Sequence, residues 1–83
     1  MMITQETFKK TLEEIFDISR SLELTGVVVK SGNLHRLVGG YPGSDHRMPI
    51  CCTVMKSMMN VGDEILSQPR SGQGASLEIL YRL

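Results

Sequence analysis

Apolar residues in the first quarter of the chain recur every three or four positions. Phe8, Leu12, Ile15, Phe16 and Leu22 fall at helical spacings, while Lys9, Lys10, Glu13, Glu14 and Asp17 lie mostly opposite. This pattern predicts an amphipathic helix from Met2 to about Leu22, with Thr4 as N-cap between Ile3 and Phe8, the two positions of a hydrophobic staple. The period then changes. Thr25-Gly26-Val27-Val28-Val29 is short and β-branched and reads as a strand. Ser31 is placed to cap a two-turn helix that would bury Leu34, Leu37 and Val38 and stop at Gly39-Gly40.

Residues 39–45, GGYPGSD, are a loop by composition. Pro49 suits the first position of a third helix running to about Asn60, because its missing N–H costs nothing there. Ile50, Cys51, Val54, Met55 and Met58 share one face of that helix; Cys52, Thr53, Lys56 and Asn60 lie on the other. A strand near Glu64 to Ser67, a turn over Gln68 to Gly74 and a closing strand from Ala75 to Leu83 complete the chain. In that strand Ala75, Leu77, Ile79, Tyr81 and Leu83 alternate with more polar positions, the period of a sheet with one buried face. The order of helix, strand, helix, helix, strand, turn, strand predicts an α+β fold of the winged helix-turn-helix type, a single domain over residues 1–83. One feature departs from that plan: the second and third helices are joined by a loop longer than the three or four residues of a tight helix-turn-helix.

Composition narrows the function. An 83-residue chain supports one small domain, and with no Trp and only two Phe and two Tyr its core must come from aliphatic residues and Met. No apolar run approaches the ~20 residues of a membrane helix, and the amino terminus lacks the apolar stretch and cleavage site of a signal peptide, so the expected location is cytoplasmic. Cys51 and Cys52 are adjacent and cannot close a loop, which implies reduced thiols.

Nine basic residues balance nine acidic ones, which excludes a globally basic nucleic-acid binder. The distribution is uneven. Residues 1–29 carry three basic and five acidic side chains, −2; residues 30–62 carry four and one, +3; residues 63–83 carry two and three, −1. The central excess, with Arg70 in the turn, gives a candidate phosphate-contacting set of Lys30, Arg36, Arg47, Lys56 and Arg70. Its plain alternative is a solvated surface. His46 and Arg47 precede the third helix, whose free N–H groups and dipole attract a phosphate, unless Arg47 simply pairs with Asp45 or Asp63. Tyr41, held extended before Pro42, packs in the core or offers a stacking face. Ser71-Gly72-Gln73-Gly74 signals a hairpin more strongly than it signals phosphate binding.

The segments GGYPGSDHRMPICCTVM, GDEIL and PRSGQGASLEILYRL resemble a family of small bacterial and phage proteins of unknown function, which occur alone or beside HNH-type nuclease modules. The resemblance covers residues 31–83 and implies a DNA-related role by association, not by mechanism. Relatives are expected to continue with a Pro-Arg pair after the position of Leu83, so no contact from such a tail is carried over.

His35, His46, Cys51 and Cys52 do not have metal-ligand spacing, since adjacent helical residues diverge by about 100°. No carboxylate or amide is spaced to orient His46 against Cys52, so neither an enzyme nor a cofactor is expected. The expected function is duplex DNA binding by a non-enzymatic accessory or regulatory domain of phage-defence or mobile-element context. Thr53, Lys56 and Asn60 would face the major groove, His46 and Arg47 would hold a phosphate, and Arg70 with Gln73 would touch the adjacent backbone or minor groove. Two alternatives are a protein-interaction module, forming a homodimer or docking a nuclease through Met59, Leu80 and Tyr41, and capture of a small phosphorylated ligand at the helix start.

Overall fold

The computed structural model describes residues 4–39 and 47–83. Along the chain run α1 (Gln5–Ser21), β1 (Gly26–Lys30), α2 (Ser31–Val38), α3 (Met48–Ser57), β2 (Glu64–Ser67) and β3 (Glu78–Arg82). Three helices thus pack with one small antiparallel sheet, an α+β architecture. Thr4 caps α1 as expected: its N–H donates to Thr7 Oγ1 at 3.4 Å, and the two hydroxyls lie 3.3 Å apart. The staple partner Ile3 and the loop residues Tyr41, Asp45 and His46 lie outside the described residues. At the far end of α1, Leu24 N–H donates to Ser19 O at 3.0 Å and Glu23 N–H to Arg20 O at 2.9 Å. This Schellman closure holds Glu23 at φ 62°, a left-handed conformation that usually falls to glycine.

Strand β3 is central, in the order β1-β3-β2. Val29 and Val27 of β1 register with Ile79 and Tyr81 of β3, on the face turned to the helices. The β2–β3 register slips between Ile65 and Ser67, a bulge, and all four β2 residues are exposed. That strand therefore belongs to a projecting ribbon and adds little to the core.

The core draws Phe8, Leu12 and Phe16 from α1, Leu34 from α2, five residues from α3, and Val29, Leu77, Ile79 and Tyr81 from the sheet side. Phe16 meets the edge of Tyr81 at 4.8 Å between ring centroids, and the Tyr81 hydroxyl donates to Met55 O at 2.8 Å. Burial, and secondarily the charges of Asp63 and Cys51, push the Tyr81 phenol above its usual range.

Several sequence expectations shift. Lys30, not Ser31, is the N-cap of α2, and Ser31 is its buried first residue. The inward face of α2 is Ser31, Gly32, Leu34 and His35, while Leu37 is 67% exposed. The reason is a docking contact: the bare face of Gly32 lies against Ala75, turning Leu37 outward. Helix α3 stops at Ser57, so Asn60 lies in the following turn. Cys52 is fully buried, not outward. Strand β3 begins at Glu78, because residues 75–77 cross the start of α2 instead.

Candidate nucleic-acid interface

The distinctive residues of the Ser31–Gly32, Cys51–Cys52 and Gly74–Ala75 pairs converge on one buried junction. Ser31 N–H donates to Leu77 O at 2.8 Å and Gly32 N–H to Ala75 O at 3.1 Å. The Ser31 hydroxyl donates to Gly74 O, and the Cys52 thiol lies 3.4 Å from that same carbonyl oxygen. Gly74 N–H in turn donates to Cys52 Sγ at 3.3 Å, and the Cys51 thiol reaches Ser31 O at 3.6 Å. The start of α2, the middle of α3 and the base of the 68–74 turn are thereby fixed to one another. Burial, then proximity to Cys52, pushes the Cys51 thiol up to about 12, so it stays protonated as a packing group with little nucleophilic character.

His35 performs a second tie. Its ring is fully buried against the edge of Phe8, with centroids 5.0 Å apart. Nε2 accepts the Arg47 N–H at 2.8 Å, which leaves Nδ1 to donate to Gly39 O at 3.1 Å. One imidazole thus holds the end of α2 beside the start of α3, across a connection too long for a tight helix-turn-helix. Spacing pointed to His35 only as a failed metal ligand; nothing in the sequence places its two nitrogens between positions 39 and 47.

The turn itself is built on Pro69. Gly72 N–H donates to Pro69 O at 2.8 Å, with Gly72 at φ 81°, and Ser71 Oγ donates to Gln73 O at 2.9 Å. The Gly72 carbonyl accepts a 2.7 Å hydrogen bond from Lys56 Nζ on α3. Arg70 and Gln73, both exposed, flank this anchored position.

Thr53 is exposed on α3 one turn before Lys56, its hydroxyl donating back to Pro49 O at 2.8 Å. It shares a shallow groove with Gln5, Glu6 and Lys9 of α1. Lys9 was missed by sequence reasoning, since only tertiary packing sets the polar side of α1 beside α3. Arg47 is the exposed N-cap of α3. Lys30, Asn33 and Arg36 line a different hollow with Ala75 and Ser76, beyond the base of the 68–74 turn, where Arg36 donates to Asn33 Oδ1 at 3.2 Å. Asn60 lies elsewhere again. It borders a groove with Glu13, Asp17, Asp63, Arg20 and Arg82, and its N–H donates to Asp63 Oδ2 at 2.8 Å. The structure therefore brings Lys56 and the 70–73 turn together, sets Thr53 beside the start of α1 and Lys30 and Arg36 apart as a pair, and puts Asn60 in a groove of mixed charge. His46 lies outside the described residues.

Among the described residues no cluster of three or more His, Cys, Asp or Glu could hold a metal ion, and no helix is long and apolar enough to cross a membrane. The chain matches no protein-family model, no curated protein and no solved structure.

Proposed function

We propose that this chain is a winged helix-turn-helix domain that binds duplex DNA as a non-enzymatic accessory module, with α3 as recognition helix and residues 68–74 as wing. The element order, with β3 between β1 and β2, supports the winged-helix reading. The observation that carries the function is the bond from Lys56 to Gly72, which joins the exposed side of α3 to the turn bearing Arg70 and Gln73. A helix and a flanking ribbon presented as one unit suit a groove and its bordering backbone. Arg47 adds a cation at the positive end of α3, where a phosphate is favoured.

The site carries few charges, so affinity is modest and steeply salt-dependent. The resemblance of residues 31–83 to small bacterial and phage proteins of unknown function, which occur alone or beside HNH-type nuclease modules, supports an accessory role by association. Fluorescence anisotropy with a short random duplex at two salt concentrations tests the reading. Arg47→Ala combined with Arg70→Ala should lower the salt slope by about two contacts. Absence of duplex binding at low salt refutes it.

A second reading, docking of a protein partner, draws on Ile18 and Leu22. These lie about one turn apart, Ile18 in the last turn of α1 and Leu22 at its C-cap, and are 60% and 66% exposed. Tight self-association or nuclease capture without duplex binding would favour it.

A further inference from the structure

Lys56 is the residue that simple charge counting would assign to a phosphate, yet its ammonium is already committed. Nζ donates to the Gly72 carbonyl at 2.7 Å, and the side chain is half-buried between α3 and the turn. Gly72 is shaped for this contact. Its φ of 81° presents the carbonyl at the turn, and a Cβ there would lie 3.2 Å from Lys56 Nζ. A second tie below it, Gly74 to Cys52 one turn earlier on α3, gives the wing a hinge at its base and a strut at its tip.

Resting on the duplex-binding reading above, we propose that Lys56 is a positioning residue for the wing and does not bind a phosphate. It fixes the angle between α3 and the 70–73 turn, so that Arg70 and Gln73 meet the nucleic-acid backbone without being ordered on binding. The consequence differs from that of a phosphate contact. Removing a phosphate contact lowers both affinity and the salt slope, by about one for each contact. Removing a strut lowers affinity through lost preorganisation and leaves the slope unchanged.

The test compares Lys56→Met, which keeps the aliphatic stem, with Lys56→Arg, which keeps a donor and the charge. Both are checked for native helicity by circular dichroism. Random-duplex affinity is measured across a salt series, and cleavage at Arg70–Ser71 by an Arg-specific protease is timed without DNA. The expected result for Lys56→Met is cleavage several-fold faster at Arg70 and affinity weaker by about tenfold at an unchanged slope, with Lys56→Arg restoring most of both. Unchanged cleavage, or a slope lowered by about one, overturns the proposal. If the parent protein binds no duplex, the functional reading fails with the positioning role that rests on it, while the cleavage comparison still decides whether Lys56 holds the wing.

Discussion

Gly32→Ala probes the junction between α2 and residues 74–77. A Cβ at this position would meet Ala75 O at 3.1 Å and Ala75 Cβ at 3.2 Å, with Ala75 Cα at 3.7 Å. Two of these three neighbours are backbone atoms and the third is a methyl fixed to backbone, so no rotamer change relieves the contact. Residues 74–77 must move away from α2, stretching the bonds Gly32 makes to Ala75 and Ser31 makes to Leu77. Overpacking of this kind costs about 1–3 kcal/mol. Alanine's better helix propensity offsets at most about 1 kcal/mol of that, since Gly32 is in the first turn. Taking the middle of that range, about 2 kcal/mol less at most about 1, the net loss of about 1–2 kcal/mol corresponds to a melting temperature lower by about 4–16 °C in a domain of this size. Thermal unfolding followed by far-UV circular dichroism measures it. Adding Ala75→Gly removes the 3.2 Å contact but not the carbonyl contact, so the double variant should recover part of the loss, with a coupling of at least about 0.5 kcal/mol. A Gly32→Ala protein melting at or above the parent temperature would refute the packing argument.

Glu23→Gly should stabilise the domain by about 1 kcal/mol in urea unfolding, because Glu23 sits at φ 62° where glycine has no steric penalty; an unchanged or lower midpoint contradicts this. Tyr81→Phe deletes the 2.8 Å bond to Met55 O while keeping the ring, and should cost about 1–2 kcal/mol by the same measurement. Stability should also fall in alkali. The Cys51 thiol ordinarily titrates at 9.0 but near 12 in the fold, so above about pH 9 the unfolded chain releases a proton that the folded chain retains, and ΔG of unfolding drops as pH rises towards 12. Tyr81, raised in the same direction from 10.0, steepens the decline. Urea midpoints at about pH 8 and about pH 10.5 read the effect, and equal midpoints would count against it.

The patterning along the chain was enough to locate each helix and strand of the described residues to within a few residues, because helical and strand periods are local properties of consecutive side chains. Thr4 as a cap and Gly39 at the end of α2 follow from backbone preferences that neighbouring residues satisfy unaided, and Pro49 lies in the first turn of α3, one residue past the first position assigned to it because the helix begins at Met48. Positive charge concentrated between residues 30 and 62 was likewise legible from counting alone.

The tertiary structure decided which of those charges act together. Lys30 and Arg36 border one hollow, Lys56 bonds to the Gly72 carbonyl, and Asn60 borders a groove of mixed charge; residues close in sequence diverge once α3 ends at Ser57. It also turned Cys52 inward beside Cys51 and set the Arg47 N–H on His35, since Gly74 and Arg47 are brought to them only by chain reversal. Sequence spacing specifies a face of one element. What that face meets depends on contacts across twelve to forty-three residues, which no local period encodes.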